Sequence, residues 1–233
     1  MNLNRIISII ICLLLLSCNS KDNSTEFIEK TSGRYLFNSD EVVEVYFNES
    51  ELYINWRGAK KIKPLKVNDN TFFVKEMNEK IQFLTNPTDI KYYLVFVPKE
   101  ENDTLQFKIR KLEATEKIPS EYLNNDNFEK ALEGYFIIKK RDSLDNSIDE
   151  NTLNRFGYKE LREKNYSKAI NIFKINVALY PKSSNVYDSL ADSYLLSGDS
   201  LQAYNNYKMA FNYDNRNNRA KEFVNKYDSK LKK

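Results

Sequence analysis

Residues 150–183 read ENTLNRFGYKELREKNYSKAINIFKINVALYPKS, and residues 184–217 read SNVYDSLADSYLLSGDSLQAYNNYKMAFNYDNRN. Laid one under the other, these two 34-residue stretches place small and large apolar residues in one phase. The first carries Leu153, Gly157, Ala169, Phe173 and Pro181. Thirty-four residues on, Tyr187, Ala191, Ala203, Tyr207 and Asn215 take the corresponding places, with Leu190, Tyr194, Gly198 and Ala210 completing the second set. Small residues let helix backbones approach, large ones interlock, and a glycine supplies the tight break between helices. A period of this length predicts helix hairpins stacked in series. All of these positions are core requirements, so none is a functional site.

Around this repeat the sequence keeps a helical period from Pro119 to the C-terminus, in amphipathic segments separated by Asn, Asp, Gly or Pro breaks. The pattern resembles the tetratricopeptide repeat, with full repeats at about 150–183 and 184–217 in a helical region spanning 119–233. Two residues depart from it: Glu160 stands where an aromatic is expected, and Asn176 where the second alanine is expected. Upstream, Ala131 and Tyr135 in NFEKALEGYF fit the trailing helix of a partial repeat, followed by a longer loop. A final helix over 216–231, charged on one side, suits a solubilising cap.

The other half, residues 33–115, has period two. ELYINWR sets Leu52, Ile54 and Trp56 against Tyr53, Asn55 and Arg57, and DTLQFKIRKL sets Leu105, Phe107 and Ile109 against Gln106, Lys108 and Arg110. GRYLF, EVVEVYFN, KKIKPLKV, NTFFVK, KIQFL and IKYYLVFV are similar short runs. They predict an antiparallel meander closed or half-closed into a barrel.

At the N-terminus, Arg5 precedes an apolar run from Ile6 to Leu16, too short to remain as a span of about 20 residues. The layout is that of a signal peptide, 1–17, followed by a polar tether, 18–32. Leu15-Leu16-Ser17-Cys18 resembles the lipobox of bacterial lipoproteins, which implies acylation of Cys18 and a lipid anchor. Asn19 is not the aspartate that retains enteric lipoproteins at the inner membrane, so the resemblance points to the outer membrane of a Gram-negative envelope.

Composition excludes several functions. Without residues 1–17 the chain holds 35 Lys+Arg against 33 Asp+Glu, a balance that leaves no electrostatic footprint for nucleic acid. Cys18 is then the sole cysteine, and histidine is absent throughout. That removes disulfides, Ser-His and Cys-His pairs and the usual zinc ligands. No metal, cofactor or catalytic residue is expected, and the chain reads as a non-enzyme. Carboxylates are scattered over helix faces that read as solvated.

The segment LNRFGYKELREKNYSKAINIFKINVALYPKSSNVYDSLADSYLLSGD is similar to the tetratricopeptide tails of bacterial serine beta-lactamase-like hydrolases, where LNxxGY and FxxNVxLYPxSxNVYDSLA recur. The strand-rich half resembles the lipocalin-like domain that often precedes that tail. The hydrolase domain itself is missing: the single Ser-x-x-Lys match, Ser229 to Lys232, falls in the last helix. The resemblance implies an α+β multidomain chain, an N-terminal antiparallel β-barrel-like (lipocalin-like) domain followed by an all-α tetratricopeptide solenoid.

Two binding functions follow as expectations. The first is a scaffold that takes a protein or peptide partner along the leading helix of each repeat. Carrying the family's concave-face positions over gives Asn151, Asn154, Tyr158 and Arg162, then Asn185, Asp188 and Asp192. The second places a small apolar or cell-wall-derived ligand in a cup within the β domain, lined by Trp56, Phe72, Phe83, Tyr92 and Phe96.

Overall fold

The computed structural model describes residues 22–100 and 102–231. The described residues divide into two compact units, one up to residue 114 and one from residue 115. The signal peptide, the lipobox and Cys18 lie outside the described residues. Among those described, no helix is long and apolar enough to cross a membrane.

Among the described residues, the first element of the first unit is a helix, α1 (Thr25–Thr31), inside the stretch expected to be tether. Ser24 caps it by accepting from the Phe27 N–H at 3.2 Å. Nine strands follow: β1 (Gly33–Asn38), β2 (Glu41–Asn48), β3 (Glu51–Trp56), β4 (Ala59–Ile62), β5 (Leu65–Lys66), β6 (Thr71–Val74), β7 (Glu79–Thr85), β8 (Tyr92–Phe96) and β9 (Ile109–Lys111). They form one antiparallel sheet in the order β4-β3-β2-β1-β9-β8-β7-β6-β5. The turns between strands are tight. Arg57 and Gly58, with φ of 50° and 81°, join β3 to β4 through the left-handed backbone that glycine adopts most readily.

The expected lipocalin-like barrel does not form; of the closed and half-closed arrangements that the alternation allows, the half-closed one is found. The first and last strands do pair, Tyr35 opposite Lys111 and Leu36 opposite Arg110. The sheet instead stays open between β4 and β5, giving a half-barrel whose two edge strands are successive in the chain. KKIKPLKV, which reads as one strand, is split there by Pro64. Proline has no N–H to give a ladder, β5 is two residues long, and β4 is bulged where Lys61 takes φ 58°. Short, bulged, proline-flanked edges do not pair.

The expected ligand cup is occupied by the protein itself. Tyr35, Val43, Val45, Leu52, Ile54, Phe72, Ile81, Phe83 and Leu94 fill the concave face. Phe27 of α1 lies over them, with ring centroids 6.1 Å from Phe47, 5.9 Å from Phe72 and 6.1 Å from Phe83. The Tyr35 hydroxyl donates to the Thr31 carbonyl at 2.7 Å and Tyr92 bonds Thr31 at 3.2 Å, fixing the end of the plug. Burial holds Tyr35 well above the ordinary tyrosine value, so it remains a donor. Phe72 and Phe83 are therefore core, Tyr92 is a clasp, and Trp56 packs on Phe37 at 5.2 Å.

The second unit contains α2 (Pro119–Asn124), α3 (Phe128–Arg141), a 3-10 turn (Asn146–Ile148), α4 (Glu150–Arg162), α5 (Tyr166–Leu179), α6 (Ser184–Leu196), α7 (Ser200–Tyr213) and α8 (Asn218–Leu231). The starts and ends of α4 and α5 recur 34 residues later in α6 and α7, and α8 starts 34 after α6. Asn127, Asp149 and Asp199 cap α3, α4 and α7 through side-chain oxygens. Within the first full hairpin, Phe173 packs on Gly157, where an added Cβ would sit 2.5 Å from the ring. Leu190 of the next leading helix then joins Leu161, Ala169 and Phe173 in one apolar cluster. Ala191, Ala203, Tyr207, Ala210 and Ala220 form the corresponding cluster one repeat on.

Gly157→Ala tests this packing. Alanine is the better helix former by up to about 1 kcal/mol, yet the methyl collides with a fully buried ring. We expect a net loss of about 1–3 kcal/mol in denaturant unfolding. A stabilised variant would contradict the contact.

Candidate functional site

The seven residues expected on the leading helices occupy one row on α4 and α6, because residues 34 apart hold equivalent positions on successive helices. The bond from the Tyr158 hydroxyl to Asp192 Oδ2, at 2.8 Å, spans that repeat length. Asn185 Nδ2 donates to Glu150 Oε1 at 2.9 Å, another link from α6 back to α4. The structure thus brings Tyr158, Asn185, Asp188 and Asp192 into bonded rows. Asn151 and Arg162 stand exposed at either end of α4, and Asn154 is half-buried between them.

The two aspartates are not open acceptors. Arg219, near the start of α8, places one guanidinium nitrogen on Asp188 and the other 2.7 Å from Asp192 Oδ2. Asn217 adds a bond of 3.0 Å to Asp188, and the Tyr207 hydroxyl donates to Asp192 Oδ1. Asp188 is only 7 % exposed, so its charge requires this neutralisation. Burial, with Asp192 adding to it, raises both Tyr158 and Tyr207 above the ordinary tyrosine value, which keeps both hydroxyls protonated as donors. The role of Asp188 and Asp192 is to tie α4, α6, α7 and α8 together. Arg219 and Asn217 are absent from the residues picked out by sequence, because the last helix reads as a solvated cap; the 34-residue offset from Asn185 to Arg219 was the available signal.

The two departures from the repeat are also resolved. Asn176 is fully buried, and its Nδ2 donates to the Glu150 carbonyl at 3.0 Å, binding a trailing helix to the first turn of α4. Glu160 is buried, and accepts from Lys168 Nζ at 2.9 Å and Asn165 Nδ2 at 2.9 Å across the α4–α5 turn. Glu160 replaces an apolar contact by a bonded polar one, and Asn176 does so through its Nδ2, while its Oδ1 has no partner among the described residues.

What remains open on this face is on α4. Asn154 Oδ1 is buried and has no hydrogen-bond partner among the described residues. It lies one turn from Tyr158, flanked by the exposed Asn151 and Arg162.

Neither a protein-family model nor a curated protein matches the chain. Among solved structures, the first tetratricopeptide module of Spaghetti (RPAP3) bound to an HSP90 peptide is similar at 14% identity over 49% of this chain and 88% of that one, with a TM-score of 0.35. A crystal structure of MamA is 20% identical over 49% of this chain and 65% of that one, with a TM-score of 0.33. The Yersinia enterocolitica type III secretion chaperone SycD, in complex with a peptide of the translocator YopD, is 13% identical over 48% of this chain and 88% of that one, TM-score 0.35. In this chain the order of helix hairpins, their 34-residue spacing and the packing of large residues on small ones are of tetratricopeptide type.

Glu160 provides a pH test of the local reading. Burial alone would raise its pKa, but the bonds from Lys168 and Asn165 outweigh it and hold the carboxyl below its ordinary 4.5. A depressed folded value stabilises the fold above the unfolded value, and that contribution is lost as pH falls through the folded one. Glu160→Gln should therefore lower the melting temperature at pH 7 and flatten its decline between about pH 5 and pH 3. An unchanged decline would contradict the assignment.

Proposed function

We propose that this chain is a membrane-anchored, non-catalytic scaffold that holds a polypeptide segment along the leading-helix face of its repeats. The observation that carries the reading is the exposed pair Asn151 and Arg162 on α4, beside Tyr158, Asn185, Asp188 and Asp192, which are bonded among themselves and to their neighbours. A peptide backbone supplies C=O groups at regular intervals, and the exposed Asn151 and Arg162 side chains offer donors to them on one helix. Arg162 adds preference for a carboxylate or carbonyl-rich stretch. Stacked helix pairs generally serve as extended binding surfaces of this kind.

The anchor rests on Leu15-Leu16-Ser17-Cys18, whose resemblance to a lipobox supports acylation at Cys18 and an outer-membrane location. The absence of histidine supports a role without catalysis.

A photo-crosslinking residue at position 151 or 162, in full-length protein expressed in its native host, tests both halves. One recurrent partner captured from both positions, none from the exposed Lys174 on α5, and an acylated Cys18 peptide in the membrane fraction are expected. Equal capture from position 174, or an unmodified N-terminus in the soluble fraction, would contradict the scaffold or the anchor respectively.

A further inference from the structure

The β unit holds a second site that the scaffold reading leaves unused. Its concave face has two ends. At one, where β1 starts and β8 begins with Tyr92, α1 is the plug. At the other, where β1 ends with Phe37 and Asn38, β8 ends with Phe96 and β9 begins with Ile109, there is a cavity of about 670 Å³. Its floor is apolar: Phe37, Leu94, Phe96 and Ile109. Leu94 and Ile109 are buried there, whereas Phe96 remains 37 % exposed, a large apolar side chain that the fold itself does not cover.

The rim decides what such a floor accepts. Lys99 is bound to Glu79 at 2.6 Å, so that pair cancels. Lys108 and Asp103, also on the rim, are of opposite sign. No net charge faces the opening, and a strongly anionic or cationic ligand would find no compensation for its desolvation. Gln106, whose amide donates to the Thr104 hydroxyl at 3.1 Å, brings neutral hydrogen-bonding groups to the edge. A cavity of this volume, with an apolar floor and a few polar groups at its mouth, has the dimensions of a small-molecule site.

We infer that this end of the half-barrel binds an uncharged, largely apolar small molecule, seated on Phe37 and Phe96 with its polar end at Gln106. The site differs from the sequence-based cup: of the five residues expected to line that cup, Phe96 alone lines this cavity. It is also independent of the helical face, so either can fail without the other.

The protein carries its own reporter. Trp56 is the sole tryptophan, and its ring packs on Phe37 at 5.2 Å. Titration of the full chain with N-phenyl-1-naphthylamine, a neutral apolar fluorophore, should give saturable energy transfer from Trp56, with a Kd on the order of 10 μM. Phe96→Asp, which sets a carboxylate on the floor, and Thr104→Tyr, which fills the mouth without adding a second tryptophan, should each weaken binding about tenfold or more. Leu144→Asp, on an exposed residue of the helical unit, should leave it unchanged. Thermal melts establish that each variant is folded, and Thr104→Tyr, on an exposed loop, decides the matter should Phe96→Asp unfold. Absence of saturable transfer, undiminished binding in folded Thr104→Tyr protein, or an equal loss with Leu144→Asp would overturn the site.

Discussion

Phe173 lies so close to Gly157 that a single added carbon would collide with its ring, and much of the helical unit's order depends on that approach. Close contact between a leading and a trailing helix sets their separation. Leu190 of the next hairpin then fits against the same ring, and Tyr207 and Ala191 share the equivalent cluster one repeat on. Because the unit advances by 34 residues each time, each position of one leading helix recurs on the next. The polar row is a consequence of this register. Tyr158 meets Asp192, and Arg219 of the third leading helix reaches both aspartates of the second.

This part of the fold was legible in the sequence because close packing restricts residue size at fixed intervals, and size is written directly in residue type. The row of polar positions was legible for the same reason. Their bonding state was not. Whether Asp188 offers a carboxylate to a partner or spends it on Arg219 depends on which helix packs next, and the last helix presents a charged face that reads as solvated. Glu160 and Asn176 were visible only as irregularities; their compensation involves Lys168, Asn165 and the Glu150 carbonyl, which no repeat pattern specifies.

In the β unit, alternation identified strands but not the closure of the sheet. Closure depends on whether two particular edges exchange hydrogen bonds, and here one proline between residues of like character decides it. Lys61, Lys63 and Pro64 interrupt an otherwise strand-like run, so the meander folds as a half-barrel with its seam in an unexpected place. The polar composition around α1 concealed the plug, because its contribution to the core rests mainly on one ring, Phe27. With that end filled, the free apolar surface moved to the end marked by Phe96.

The central claim is that the 34-residue register binds successive leading helices through their polar row. The most direct test is a double-mutant cycle on Tyr158→Phe and Asp192→Ala, read by denaturant unfolding of the full chain. A coupling of about 1 kcal/mol is predicted for a half-buried hydroxyl–carboxylate bond between neighbouring repeats. Additive losses, within about 0.3 kcal/mol, would mean that the two residues do not meet in solution and that the row is not the connected face described.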